Sequence, residues 1–208
     1  MLVSRKDREK EFKKQLITEA ASRLFAHSAC EAVTVEDIAR EAEFGKGTIY
    51  QHFDSKESIV VHIMCQRIDE LCEELEKQVL VQTDPRKALS ICINLLHDYY
   101  ANNSNLLIYI FAKGMQHSIN EGLTELIRSK QNRRTELLVK MIEKGIKAGV
   151  IIKTNSWYLA RTLEHMARGF ALDDRSKERT DIDPERNLKL IKTIFADGIF
   201  VRGGGVKK

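Results

Sequence analysis

The chain has 208 residues, 43% apolar and 31% charged, which excludes a disordered or membrane-embedded chain and suits one or two small domains with real cores. Net charge is +4, and the first 56 residues hold ten residues of each sign, so bulk charge marks no nucleic-acid-binding end. Two prolines and 7% aromatics argue against a strand-rich sandwich and for long helices.

Period-3.6 patterning covers nearly the whole chain. Phe12, Leu16, Ala20 and Leu24, flanked by Ile17, Ala21 and Phe25, predict an amphipathic helix over about 8–27. Thr34 then caps a second helix that ends near Ala42, with Asp37 three residues on and Val33 and Ile38 placed for a hydrophobic staple. A short segment, 45–53, follows. Asp54, Ser55 and Glu57 open a helix to about Val79, whose apolar stripe is Val61, Met64, Ile68, Leu71, Cys72, Leu75 and Val79. Both prolines follow an aspartate (Asp84–Pro85, Asp183–Pro184), each pair an N-cap with proline at the first helical position. Further helices are expected near 104–113, 119–148 (ended by Gly149) and 155–172, with 173–183 a charged loop and Gly203–Gly205 part of a frayed tail. The expected fold is all-α with about nine helices and a seam near residue 55.

Helix, turn and helix over 34–53 is the arrangement that lays a second helix in the major groove of DNA. Ile49 and Phe53 are four apart and face inward, against Phe25 and Ile38. That leaves Lys46, Thr48, Tyr50, Gln51 and His52 as outward donors to phosphates and base edges. Gly45 and Gly47 remove side chains where a backbone approaches closely. Lys56 sits in the first turn of its helix, where a cation opposes the macrodipole unless an anion docks there. Basic residues at Arg5, Lys6, Arg8, Lys13 and Lys14 suit an arm along the DNA, with Asp7, Glu9 and Glu11 interleaved.

Residues 16–60 resemble the DNA-binding region of the TetR (tetracycline-repressor-like) family. The matching pieces are Ala20-Ala21-x-x-Leu24-Phe25, Thr34-Val35-x-Asp37-Ile38-Ala39, and Lys46-Gly47-Thr48-Ile49-Tyr50-x-His52-Phe53-x-Ser55-Lys56-Glu57. The resemblance implies a cytoplasmic, homodimeric, ligand-responsive transcriptional regulator, usually a repressor, released from a palindromic operator by a small molecule. It divides the chain into a helix-turn-helix domain (1–54), a helical ligand-binding and dimerisation domain (55–202) and a flexible tail (203–208). By position it implies that Thr34, Tyr50, His52 and Lys56 meet phosphates, and that Lys46, Thr48 and Gln51, with Gly47, lie in the groove. The chain departs from the family pattern at Ala29 and Cys30, and the usual Ala-Gly-Val-Ser before the recognition helix is here Ala42-Glu43-Phe44-Gly45.

For an effector cavity the aromatic and polar candidates are His97, Tyr100, Tyr109, Phe111, Met115, Trp157 and Arg161. Dimerisation is expected through Leu163, Ala167 and Phe170 of one helix and Leu188, Ile191, Phe195 and Ile199 of the next, with Gly169 and Gly198 permitting close approach. No nucleophile–base constellation points to an enzyme, and no cofactor is expected. Acids such as Glu121, Glu125 and Glu164 read as solvent-facing. Cys30, Cys65, Cys72 and Cys92 lack metal-ligand or disulfide spacing, and the longest apolar run, 106–112, cannot span a bilayer. A metal- or thiol-responsive DNA-binding sensor, and a helical small-molecule binder without a specific operator, are the alternative readings.

Overall fold

The computed structural model describes residues 4–116, 119–173 and 184–200, with the backbone alone at 170–173, 184, 196 and 197. The expected loop beyond Asp173, its Asp183 cap and the tail lie outside the described residues. Among the described residues there are nine α-helices and no strand beyond one isolated bridge, Ile151 to Phe200.

Helix α1 (Arg5–His27) starts earlier than expected because the Ser4 hydroxyl accepts the Asp7 amide at 3.1 Å. Its buried face is Ile17, Ala20, Ala21 and Phe25, while Phe12 is exposed. Helix α2 (Val35–Glu41) carries a complete capping box. The Asp37 amide donates to the Thr34 hydroxyl at 3.1 Å, and the Thr34 amide donates to the Asp37 carboxylate at 3.0 Å. Helices α3 (Lys46–His52) and α4 (Lys56–Glu74) follow, and α4 is extended by a π-helical turn over Leu75–Val79. Asp84 caps α5 (Pro85–Asn102), with proline in the first turn as expected. Then come α6 (Ser104–Met115), α7 (Glu121–Lys147), α8 (Ser156–Asp173) and α9 (Pro184–Ile199). Gly149, at φ 71°, ends α7 in the left-handed region, so that the Val150 and Ile151 amides turn back to the Gly145 carbonyl at 3.1 and 3.2 Å.

The described residues form two compact units, one holding those of 4–66 and 105–127, the other those of 67–104 and from 128 to 200. This division differs from a boundary at 54/55, because α6 is tied to the N-terminal helices. The Asn105 side-chain amide donates to the Phe25 carbonyl near the end of α1 at 2.9 Å, the Cys30 thiol donates to the Asn105 carbonyl at 3.6 Å, and the Tyr109 hydroxyl donates to Glu57 at 2.6 Å.

In the second unit α5 packs against α8, α9 and the π-helical turn. Cys92, Ile93 and Leu96 are buried there, as are Ala160, Leu163, Ala167, Ile191, Phe195 and Ile199. The expected dimer stripe is thereby corrected. Leu163, Ala167, Ile191, Phe195 and Ile199 belong to the core of their own chain, Leu188 is half-buried, and the Phe170 side chain lies outside what is described. The strongest apolar periodicity on a helix marks the face with most to bury, and α8 and α9 spend that face within the protomer. Glu164 is also corrected, being 1% exposed rather than solvent-facing. Its carboxylate accepts from Arg134 Nε at 2.8 Å, Arg161 Nη1 at 2.9 Å and the Thr135 hydroxyl at 3.1 Å.

Candidate nucleic-acid interface

Helix α3 is held to α1 and α2 by Ile49 and, just past its end, Phe53, both buried. Facing away from that anchor, Lys46, Gly47, Tyr50 and Gln51 are exposed on adjacent turns, Tyr50 at 47%. Lys46 Nζ lies 5.9 Å from the centre of the Tyr50 ring and is paired with Glu36 of α2. Thr48 and His52 are half-buried at the edge of this face. A Cβ added at Gly45 or Gly47 would meet no atom within 4 Å, so the chain itself requires no glycine at either. Gly45 caps α3 without a side-chain bond, while its carbonyl accepts the Thr48 amide at 2.9 Å.

Glu43, where the family pattern has glycine, is held at φ 58°, in the left-handed region that costs a non-glycine residue roughly 1–2 kcal/mol. Replacing Glu43 by Gly is expected to raise stability by about 1 kcal/mol, the relieved strain less the entropy that glycine adds to the unfolded chain. Thermal unfolding checks this, and an unchanged or lower Tm would contradict it.

Two of the residues expected to meet phosphates are engaged within the protein. The Thr34 hydroxyl donates to Asp37 at 2.6 Å while accepting its amide, so it serves as a cap. Lys56 turns inward. Its ammonium donates to the carbonyls of Cys30 and Val33 at 2.8 Å each and of Glu31 at 3.4 Å, and it lies 5.2 Å from the Tyr109 ring centre. These three carbonyls, rather than an external anion, offset the unfavourable place of a cation in the first turn of α4. Burial pushes the Cys30 thiol beneath this network up to about 12, the charge of Glu31 adding to it.

Residues 17–63 match the model of bacterial regulatory proteins of the tetR family. The chain is 31% identical over 134 residues to the transcriptional repressor KstR2 of Rhodococcus jostii, covering 64% of this chain and 65% of that protein. It is 22% identical over 162 residues to the fatty acid metabolism regulator protein of Bacillus subtilis, covering 76% of this chain and 84% of the relative. Residues 17–63 are of the tetR family of bacterial regulatory proteins. The chain's fold is that of a regulator from Saccharomonospora viridis solved with choline, at a TM-score of 0.80 and 19% identity over 92% of this chain and all of the other. It is likewise that of FadR from Bacillus subtilis solved with stearoyl-CoA, at a TM-score of 0.71 and 18% identity over 89% of this chain and 98% of the other. These relatives are regulators rather than enzymes, and no described helix of this chain is long and apolar enough to cross a membrane.

The seven effector-site candidates of this chain are divided between its two units. His97, Tyr100, Trp157 and Arg161 fall in the second unit, while Tyr109, Phe111 and Met115 fall in the first. Tyr109 is buried, and burial followed by its bond to Glu57 raises the phenol, which makes it a tie between α6 and α4. Phe111 and Met115 are 69% and 68% exposed, and Trp157 is exposed too, so none of the three lines an enclosed core. His97 is half-buried with Nδ1 3.3 Å from Asp98. Tyr100 is buried with the Arg134 guanidinium 5.7 Å from its ring centre, and Arg161 binds Glu164. Sequence reasoning missed Arg134 and Thr135, since nothing in an amphipathic pattern separates a buried arginine from a surface one. Among the described residues no three His, Cys, Asp or Glu side chains gather as a metal site.

Proposed function

We propose that this chain is a TetR-family repressor that binds a palindromic operator as a homodimer and is released when a small molecule occupies its C-terminal helical region. The observation that carries the reading is the exposed Lys46–Gly47–Tyr50–Gln51 face on a short helix anchored by Ile49 and Phe53, with glycines where a duplex backbone would approach. Thr48 and His52 flank that face. Two such helices in a dimer straddle successive major grooves about 34–36 Å apart. Helix α4 runs without a break from Lys56 to Glu74 and couples an effector to that spacing, provided the effector binds the two spacings with different affinity. The names of the fatty acid relatives favour an acyl-CoA thioester as effector class over choline. Selection from random duplexes tests the reading. Recovery of palindromes, released by stearoyl-CoA and not by choline, supports it, and recovery of no consensus rejects it.

With the strong stripes of α8 and α9 spent in the core, the dimer seam falls on their outer faces. On α9 this is Leu190 and Ile194, 44% and 46% exposed, with Gly198 one turn further on. On α8 it is Tyr158, Thr162, His165 and Gly169, all exposed at helical spacing. A Cβ at Gly169 or Gly198 would meet nothing within 4 Å, so each leaves room for a partner helix. Ile194→Glu is expected to give a folded monomer by light scattering with unchanged helix content. A dimer that survives it would move the seam elsewhere.

A further inference from the structure

Helix α2 carries three acids, and each has a different partner. Asp37 closes the capping box with Thr34, and Glu41 accepts from Arg23 Nε of α1 at 2.8 Å. Glu36 instead crosses to the next helix and accepts from the Lys46 ammonium at the start of α3. Both side chains are more than half exposed, and an ion pair so placed adds little to stability. Its effect is on direction. A lone lysine sweeps many rotamers, whereas this ammonium is held from two sides, by the Glu36 carboxylate and by the Tyr50 ring, whose centre lies 5.9 Å away. Lys46 is the first residue of α3, and the first residues of a recognition helix are those that meet base edges. The carboxylate is one hydrogen bond from that ammonium, so an acceptor enters the groove beside the donor. Phosphates repel it, which leaves base edges as its partners. A G·C pair sets the guanine N7 and O6 acceptors next to the cytosine N4 donor, the complement of a cationic donor beside an anionic acceptor. An A·T pair suits it less, since adenine gives the ammonium one acceptor rather than two and thymine adds an acceptor and a methyl group.

We infer that Glu36 is a specificity-determining residue of the interface: with Lys46 donating to guanine O6 and N7, the Glu36 carboxylate accepts from the N4 amino group of the paired cytosine. The role rests on α3 lying in the major groove, as proposed above, and adds α2 to the elements that read sequence. It differs in its consequences from that of a carboxylate that only competes for Lys46. A competitor lowers affinity for every duplex alike, and its removal raises affinity for every duplex alike. A reader lowers affinity chiefly for the wrong sequence, where its charge meets an acceptor, and recovers part of that loss on the right base pair. Removing it therefore tightens binding to mixed sequence and erases one position from the consensus.

The test is fluorescence anisotropy of the full-length protein on a duplex selected from random sequence, each cytosine being replaced in turn by N4-methylcytosine. That base keeps its Watson–Crick pair and loses the amino hydrogen that faces the major groove. The wild type is expected to weaken roughly 5- to 30-fold at one position in each half-site. Glu36→Ala is expected to be indifferent to the methyl group at that position and to bind a mixed-sequence duplex about 3-fold more tightly, Lys46 being freed. Glu36 is exposed and alanine is the best helix former, so the substitution leaves the fold in place. Glu41→Ala removes an α2 carboxylate of the same charge that faces α1, and is expected to keep the wild-type response. A wild type that tolerates N4-methylcytosine at every position, a Glu36→Ala protein that keeps the wild-type response, or a gain in Glu36→Ala that is equal on selected and mixed duplexes would each overturn the proposal. A selection that returns no consensus would instead overturn the DNA-binding reading itself.

Discussion

Glu164→Ala is expected to destabilise the protein by about 3–5 kcal/mol, because it leaves the Arg134 guanidinium buried without its counter-charge. Both partners of this pair are almost wholly removed from solvent, so water cannot replace the missing carboxylate. Thr135 and Arg161 lose the same acceptor. The Tyr99 and Tyr100 rings, 5.8 and 5.7 Å from the guanidinium, stay in place but offer faces rather than a full charge. Replacing both members, Arg134→Met with Glu164→Leu, is expected to recover most of the loss, since a matched apolar pair leaves no orphaned charge. Urea unfolding of the two variants measures the difference. Equal stability of Glu164→Ala and the wild type would mean that the pair carries no net weight in the second unit.

Lys46→Ala combined with Tyr50→Ala is expected to weaken duplex binding by roughly 100-fold or more, each side chain's interaction with DNA being worth about 1–3 kcal/mol. The two act together on the exposed face of α3, the ammonium lying against the tyrosine ring. Only the lysine carries charge, so the slope of log K against log salt is expected to fall by about one. Anisotropy over a salt series gives both quantities, with circular dichroism as the check on folding, because neither side chain supports the core. Binding that survives with an unchanged slope would remove α3 from the interface. Glu36 holds Lys46 in the free protein and competes with DNA for it, which keeps the wild-type affinity below what the lysine alone would supply.

Much of the helical layout is legible in the sequence because capping chemistry is local. Thr34 with Asp37, Asp84 with Pro85, and Gly149 each act within one turn of their own position, and the structure closes those helix ends as the sequence implies. The α4 stripe is legible for a similar reason, since Val61, Met64, Ile68, Leu71 and Cys72 need only the 3.6-residue period to reach one face, and Leu75 and Val79 stay buried in the π-helical turn that follows. The direction in which α8 and α9 spend their stripes is not legible. A helix packed on two sides shows one dominant periodicity, and Leu163, Ala167, Ile191 and Phe195 answer to the protomer core before any partner. Lys56 misleads because the carbonyls it binds come from a loop about 25 residues earlier, a pairing that no local spacing encodes. Tyr109 and Glu164 mislead in opposite ways. Tyr109 reads as a ligand-binding aromatic and is a strut, while Glu164 reads as a surface acid and is the centre of a buried network.

Two copies of α3 lying in successive major grooves is the claim on which the functional account depends, and methylation interference on a selected duplex tests it most directly. Methyl groups at guanine N7 project into the major groove, so the account predicts two clusters of interfering guanines about one helical turn apart, both abolished by Lys46→Ala with Tyr50→Ala. A single cluster, or binding indifferent to N7 methylation, would contradict it.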